Sequence, residues 1–216
     1  MPGELTGKAK DKGDITLEQL LTMRSCIAFD NDDFSMEMWV DEPDEPLHHI
    51  LSKRTYAVPG ERFYYRDADP QILGYLLQNE LGERESAWTG SKLFSPLGIR
   101  EYRWEEGPDV SMAAHGLYMK PRDLAKIGQL LLDEGSFRGE RVVSREWCEL
   151  ATQPYVPEGD AGTGKERLAY GYYFWADPAG VFYSAWGHGG QHILVCPDQR
   201  LVLVKIALPD TDDLAG

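Results

Sequence analysis

The chain has few basic residues, few cysteines and no long apolar run. Lys and Arg total 22 against 36 Asp and Glu, so the net charge is −14. Such an acidic chain repels phosphate backbones and anionic membrane surfaces, and we expect no nucleic-acid partner. No run of about 18 apolar residues occurs, which predicts no membrane span. The start of the chain also lacks the charged-then-apolar pattern of a signal peptide.

Cysteine usage and acidic patterning exclude the common metal sites. The cysteines are three, widely spaced and without a Cys-x-x-Cys pair: Cys26, Cys148 and Cys196. This favours small buried thiols over a disulfide framework or a zinc site. The acidic stretch 30–46 is predicted to be a solvated loop, because Phe34 and Ser35 stand where an EF-hand loop needs an oxygen ligand and a glycine. We therefore predict no metal, and the sequence suggests no organic cofactor.

Two sequence patterns of an activated serine are absent as well. No serine in the 216 residues is followed three positions later by a lysine, and no Gly-x-Ser-x-Gly elbow occurs. Serine and lysine three residues apart share one helix face, where a desolvated amine can deprotonate the hydroxyl. The sequence therefore predicts no serine nucleophile of this kind within these residues.

Helical patterns dominate the first three quarters of the chain. Thr16 and Gln19 fit a capping box for a short helix ending near Met23. Asp69 and Pro70 are predicted to cap and open a helix that Gly82 closes. A further segment is predicted over 86–94, and the turn residues 95–98 end it. Another helix is predicted to begin at Pro121 and to end before Gly135, with one buried apolar stripe. Ser144 is predicted to cap one more short helix. The stripe consists of Leu124, Ile127, Leu130 and Leu131.

The last quarter changes from helical period to alternation. Residues 170–176, 181–187, 191–196 and 200–207 predict four consecutive strands joined by turns. Helices followed by an antiparallel meander indicate an α+β fold. We divide the chain into a polar lead-in (1–14), a mainly helical part (15–165), the strands of the same domain (166–208) and a tail (209–216).

Two segments could carry chemistry on their own merits. The first is Phe63–Asp67, just before a predicted helix, where a tyrosine can project into a cleft and relay a proton. Aromatic clusters at such positions more often belong to the core. The second surrounds His188, Gly189 and Gly190; glycines there indicate either a plain bend or a close approach of a ligand. His188 could shuttle a proton or be structural.

Order and spacing together are more specific. Six segments resemble, in the same order, the class C β-lactamase-related serine hydrolases, a family of β-lactamases, DD-peptidase-type penicillin-binding proteins, esterases and 6-aminohexanoate-dimer hydrolases. The segments are 15–23, 58–65, 73–77, 95–99, 116–128 and 186–191. The resemblance extends from about Ile15 to Leu208 and implies a β-lactamase/transpeptidase-like fold.

The resemblance also implies roles for individual residues. The family combines Ser-x-x-Lys on a helix, Tyr-x-Asn in a loop, and Lys-Thr-Gly or His-x-Gly on a strand. The third motif resembles His188-Gly189-Gly190, and the backbone N–H of Gln191 would be an oxyanion-hole donor, typically worth about 10²–10³ in rate. The second motif resembles Tyr65-Arg66-Asp67, with Tyr65 relaying a proton to the leaving group.

The chain departs from the family pattern in two ways. Asp67 replaces the usual Asn, and this added carboxylate would raise the pKa of a catalytic lysine and repel acidic substrates such as β-lactams. Ser-x-x-Lys is missing, and in the family it precedes the segment resembling 15–23 by several tens of residues. The expectation is a truncated hydrolase that is inactive alone, with an incomplete sheet whose exposed edge needs a second chain to cover it.

A different class remains open: a non-catalytic binding or scaffolding module that keeps the hydrolase cleft for a small-molecule or peptide-like ester or amide. A soluble chain that binds such a ligand without acylation would favour it. The expected compartment is cytoplasmic if the chain is complete, and exported if an upstream signal exists.

Overall fold

A computed structural model describes residues 12–29, 31, 45–107, 110–157 and 168–207. The polar lead-in up to residue 11, most of the acidic stretch 30–46, the loop 158–165 and the tail 209–216 lie outside the described residues. The chain divides into two compact units. The first comprises Met1–Thr89 with Arg103–Leu117, and the second comprises Gly90–Tyr102 with Tyr118–Gly216.

The first unit is helical. It contains α1 (Leu17–Leu21), α2 (Glu45–Ser52), α3 (Ala68–Leu81) and α4 (Glu85–Thr89). The predicted capping box is confirmed, because the Thr16 hydroxyl accepts from the Gln19 N–H and the Gln19 side chain accepts from the Thr16 N–H. Its core is formed by buried apolar side chains from α1, α2, α3 and the segment after α1: Leu20, Ile27, Phe29, Ile50, Ala68 and Ile72.

The start of α3 differs from the sequence prediction. Asp67, not Asp69, occupies the N-cap position, and Asp69 lies in the first turn. The reason is tertiary: the Asp69 carboxylate accepts from the backbone N–H and the hydroxyl of Ser25, so it is not available to the helix N–H groups. The predicted end is confirmed, because Gly82 closes the helix with a left-handed φ of 69°.

The second unit combines helices with the main sheet. A π-helical turn, Gly90–Phe94, leads into the turn 95–98; α5 (Pro121–Leu132) follows, then the hairpin β3–β4 (Ser136–Phe137 and Glu140–Arg141), and then α6 (Arg145–Ala151). Ser144 caps α6 as predicted, because its hydroxyl accepts from the Trp147 N–H at 3.1 Å. Where the chain passes between the two units, β1 (Tyr102–Trp104) and β2 (Leu117–Met119) form a two-stranded sheet.

The main sheet is an antiparallel meander of five strands, β5 to β9 in sequence order. The strands are Ala169–Tyr170, Trp175–Ala176, Tyr183–Gly187, Gln191–Cys196 and Leu201–Lys205. The prediction of one strand over 170–176 was wrong. Gly171 lies so close to the end of α6 that a Cβ there would be 2.7 Å from the carbonyl oxygen of Ala151, the last residue of the helix, and the Tyr172 N–H bonds to the same carbonyl. These contacts turn the chain and split the strand.

Helix α5 packs on β8 and β9 through a glycine. A Cβ at Gly128 would lie 2.5 Å from Val202 and 3.0 Å from Ile193, so only glycine permits this approach. The predicted stripe is therefore only partly correct: Leu130 is buried, whereas Leu124, Ile127 and Leu131 are half-buried. The last strand of the main sheet, β9, pairs with β8 on one side and with no strand among the described residues on the other.

Candidate functional site

The buried side chain of Arg66 anchors the segment before α3. This side chain is fully buried, and its guanidinium donates to the carbonyl oxygens of Tyr64 and Ile27 and to the Tyr56 hydroxyl at 2.7 Å. The guanidinium also lies over the rings of Tyr56 and Tyr64, 5.2 and 5.1 Å from their centroids. Arg66 therefore ties its own segment to the chain that follows α1, and the two residues beside it are fixed in position.

Asp69 reinforces the same junction one turn later. Its carboxylate accepts from the Ser25 hydroxyl at 2.5 Å and from the Ser25 N–H at 3.3 Å. Burial raises the pKa of Asp69 to about 6, although the charge of Arg66 and the two hydrogen bonds from Ser25 act in the opposite direction. Desolvation outweighs these contacts because the carboxyl group has almost no access to water.

Tyr65 and Asp67 flank Arg66 and are both half-buried. Burial raises the pKa of the Tyr65 phenol, and the nearby Asp67 carboxylate raises it further. Burial also raises the pKa of Asp67, while the charge of His115 lowers it. The Asp67 side chain makes no capping bond to α3, and its backbone N–H donates to the Asn31 side chain at 2.9 Å. Tyr65 is therefore a phenol, and not a phenolate, at neutral pH.

His188, Gly189 and Gly190 form the turn that joins β7 to β8. Gly189 and Gly190 have left-handed φ values of 73° and 83°, which L side chains rarely adopt. The turn itself therefore requires the two glycines. Of the two interpretations of these glycines that the sequence allowed, the plain bend is present. His188 is exposed at the start of this turn.

Gln191 begins β8, paired with Gly187 across the turn. Its side-chain amide donates to the Ala207 carbonyl and accepts from the Ala207 N–H at 3.2 Å, which extends the pairing of β8 with the chain beyond β9. This pair of bonds fixes the first residue after the turn, and with it the position of the Gln191 backbone N–H.

The next residues on β7 and β8 form a compact polar and aromatic cluster. The Trp186 indole N–H donates to the Ser184 hydroxyl at 2.7 Å, and this hydroxyl donates to the Ile193 carbonyl at 2.8 Å. The Trp186 ring meets the His192 ring edge to face, with centroids 5.0 Å apart. Ser184 is therefore used as a hydrogen-bonding link inside the sheet.

The predicted site residues fall into two local groups, one in each unit. Tyr65 and Asp67 lie in the first unit, and His188, Gly189, Gly190 and Gln191 lie in the second. Sequence reasoning missed the contributions of Ser25, Asp69 and His115. No local signal marked the contact between Ser25 and Asp69, because an acidic residue in the first turn of a helix is favourable without a buried partner.

All three cysteines are buried free thiols, as the sequence predicted. No helix in the described ranges is long and apolar enough to cross a bilayer. Within those same ranges, no three His, Cys, Asp or Glu side chains are grouped as a metal site would require.

The fold defines a class of protein when it is compared with solved structures. It superposes on a family VIII carboxylesterase with a TM-score of 0.77 at 15% identity, covering 96% of this chain and 71% of that one. It also superposes on the octameric penicillin-binding protein homologue from Pyrococcus abyssi, with a TM-score of 0.70 at 20% identity over 96% of this chain and 57% of that one. The fold is β-lactamase/transpeptidase-like, with a sheet that is not closed.

The family follows from the sequence match. The family model described as Beta-lactamase matches residues 4–207, and the chain belongs to this family of β-lactamase-related serine hydrolases. A curated relative, the 6-aminohexanoate-dimer hydrolase of Paenarthrobacter ureafaciens, is 25% identical over 187 residues, which are 79% of this chain and 45% of the hydrolase. The chain thus spans about half the length of this relative.

Proposed function

We propose that this chain supplies the proton relay and an oxyanion donor of a serine hydrolase that cleaves an ester or amide through an acyl-serine. The observation that carries the proposal is the state of Tyr65 in the loop before α3. Its phenol pKa is raised both by burial and by Asp67, so the group holds a proton that it can give to a leaving alkoxide or amine.

The oxyanion donor in this proposal is the backbone N–H of Gln191. The residue follows the His188–Gly190 turn, and the double hydrogen bond of its side chain to Ala207 holds its backbone in place. A donor that is fixed before the reaction needs no reorganisation when negative charge develops on the substrate carbonyl oxygen. Asp67 and the residues of the turn are proposed to contact the substrate.

These 216 residues are proposed not to form an acyl-enzyme by themselves. No Ser-x-x-Lys is present. The buried serines are used structurally: Ser25 donates to Asp69, Ser184 donates to Ile193, and Ser111 accepts from the Ser86 N–H. None of these hydroxyls has an amine base at the helical offset, so none matches the activated serine of the family.

Complementation tests this proposal directly. The chain is mixed with the part of the Paenarthrobacter ureafaciens hydrolase that the match to this chain does not cover, and p-nitrophenyl ester hydrolysis is followed together with intact mass. We expect no acyl adduct on the chain alone, and hydrolysis with an adduct on the added part in the mixture. Tyr65→Phe should lower the rate of the mixture by about 10²–10³ because the proton relay is lost.

The control is Tyr64→Phe, which removes the hydroxyl of the half-exposed neighbouring tyrosine and should leave the rate within about twofold. Two parts that associate but never hydrolyse an ester would contradict the proposal. An adduct on the chain alone would contradict the statement that it lacks a nucleophile.

We propose that the outer side of β9 is where the complementing part docks. Leu201 and Leu203 are 42% and 50% exposed on this strand, and none of the described strands pairs with its outer edge. Unpaired edges with apolar side chains favour strand addition. Leu203→Glu should weaken association in light scattering, whereas Val181→Glu, equally exposed in a turn of the same unit, should not.

The second candidate is a binding module that retains the ligand contacts without turnover. The structural use of Ser25, Ser111 and Ser184 favours it, since no free hydroxyl in this set is poised for attack. Calorimetric binding of an N-acyl peptide with no mass increase, in a chain that cannot be complemented, would support this function over hydrolysis.

A further inference from the structure

Three hydrogen bonds attach the start of α4 to a neighbouring loop. The Arg84 guanidinium donates to the Glu106 carboxylate at 2.9 Å and to the carbonyl of the next loop residue at 3.0 Å. The Ser86 N–H donates to the Ser111 hydroxyl at 3.2 Å. Glu106 and Ser111 face each other in an isolated antiparallel bridge. The residues on both sides of position 85 are therefore fixed on one short stretch of this loop.

The loop itself is held on α3 by contacts that do not involve α4. The fully buried side chain of Gln71 donates to the Ser111 carbonyl at 3.2 Å and accepts from the Ala113 N–H at 3.0 Å. Helix α4, in contrast, contains no buried residue. A segment with little buried surface opens at a low cost in free energy. If the contacts between α4 and the loop open, α4 is therefore the element that moves away while the loop stays on α3.

The carboxyl group of Glu85 points from α4 towards α3. Its Oε2 atom would lie 3.2 Å from a Cβ at Gly74, where the loop also packs on α3, with the Ala113 Cβ 2.7 Å from the same point. This oxygen is shielded from solvent and has no hydrogen-bond partner among the described residues. An ionised carboxylate in this position would lack both water and a donor, which costs free energy.

The charges around this carboxyl group do not compensate for the loss of water. On α3 the facing residues, Gly74 and Gln71, are uncharged. From the loop, Glu106 contributes a like charge, and its carboxylate is bonded to Arg84. Burial, and after it the charge of Glu106, raises the pKa of Glu85 to about 7. The neutral carboxyl group is therefore the form that fits the closed arrangement of α4 and the loop.

We propose that Glu85 is a proton-dependent latch: its neutral carboxyl group keeps α4 closed on the loop in mildly acid solution, and its ionisation releases the start of α4 as the pH rises towards neutrality. In the open form the carboxylate reaches water and has the ordinary pKa of 4.5. Closure is therefore strongest below about pH 4.5 and weakens until the pH reaches about 7, because the closed form binds the proton more tightly. The interval of about 2.5 pH units corresponds to an increase of about 300-fold in the opening constant. The inference does not depend on the proposed hydrolase function.

Residue-resolved hydrogen exchange of the full chain tests the latch. The reporters are the amides of Ser86 and Trp88, which donate to the Ser111 hydroxyl and to the Arg84 carbonyl. After correction for the intrinsic exchange rate, their protection in the wild type should fall by up to about 300-fold between pH 4.5 and pH 7 and then level off. In Glu85→Gln this fall should be absent, because the side chain keeps its shape and cannot ionise.

The matched control is Glu83→Gln, which neutralises an exposed carboxylate two residues earlier and should keep the wild-type pH dependence. The titration of Asp69 changes the overall stability in the same pH range in every variant, so only the difference from Glu85→Gln belongs to the latch. The amide of Ala113, which donates to Gln71, reports on the loop and should not follow the two amides of α4.

The carboxyl carbon of Glu85 gives a direct second readout by NMR. In the wild type its titration midpoint should lie near 7 and not near 4.5. Protection of the α4 amides that is independent of pH in the wild type, or that falls equally in Glu85→Gln, would overturn the inference. If Glu85→Gln does not fold, Glu85→Ala takes its place, and a wild-type midpoint near 4.5 overturns the inference without any variant.

Discussion

The Ser25 hydroxyl donates a 2.5 Å hydrogen bond to the buried carboxylate of Asp69, which joins the chain after α1 to the first turn of α3. The two residues are 44 positions apart in the sequence. Together with the contacts of Arg66, this hydrogen bond fixes the segment that carries Tyr65 and Asp67. Stability measurements can therefore test these contacts separately from any activity.

The first prediction concerns the pH dependence of stability. The pKa of Asp69 is about 6 in the fold against an ordinary value of 3.8, so the native protein binds this proton more tightly than the unfolded chain. The contribution is fully present below about pH 4 and is lost as the pH rises through 6, amounting to about 3 kcal/mol. In Asp69→Asn the free energy of unfolding should no longer fall by this amount of about 3 kcal/mol between pH 4 and pH 7. An unchanged slope in urea titrations would contradict it.

Ser25→Ala provides the matched comparison for this prediction. The variant removes a hydrogen bond that lowers the pKa of Asp69, so the loss of stability should move to higher pH. It should also cost about 1–3 kcal/mol at pH 7, because the Oδ1 atom of the buried Asp69 carboxylate loses its hydrogen-bond donor while Oδ2 keeps the Ser25 N–H.

The second prediction concerns Arg66. Arg66→Met should destabilise the chain by about 3–5 kcal/mol in urea unfolding, because the Ile27 and Tyr64 carbonyls and the Asp69 carboxylate lose their buried donor or counter-charge. Arg66→Lys should recover only part of this, since an ammonium group cannot reach several acceptors in the same plane. The control Arg103→Lys, on an exposed side chain 3.6 Å from Glu105, should change stability by less than about 0.5 kcal/mol.

The third prediction uses the close approach of α5 to the sheet. Alanine has a higher helix propensity than glycine, by about 1 kcal/mol. Gly128→Ala should nevertheless destabilise the chain by about 1–3 kcal/mol, because its methyl group would overlap Val202. Ala125→Gly in the same helix reports the propensity effect alone, a loss of about 1 kcal/mol. A Gly128→Ala variant that is more stable than the wild type would show that α5 can move off the sheet without cost.

The fourth prediction isolates a backbone effect. Gly82 closes α3 at a φ of 69°, and a Cβ there would meet no atom within 4 Å. Gly82→Ala should therefore cost about 1–2 kcal/mol in thermal or urea unfolding, for conformational reasons alone. Gly82→Asn should cost less, because asparagine tolerates the left-handed region. Equal losses in the two variants would point to a different cause.

Local signals in the sequence accounted for much of the framework. The capping box at Thr16, the cap at Ser144, the closing glycine of α3 and the hairpin from β7 to β8 all depend on residues within a few positions of one another. Such interactions are readable from spacing because helix ends and turns place the same demands on the backbone in every protein. The family motifs likewise lie in short contiguous runs.

Tertiary contacts decided the rest. Residues 170–176 form two short strands because α6 lies against Gly171, which the alternating pattern of the strand could not report. Asp67 and not Asp69 is the N-cap residue of α3, because the Asp69 carboxylate is hydrogen-bonded to Ser25. By itself the sequence determined the family and the local helix ends and turns, whereas only the fold brought Ser25 to the Asp69 carboxylate and raised the pKa of Tyr65 and Asp67 by burial. The physical reason is that desolvation and charge interactions depend on neighbours that are distant in the chain.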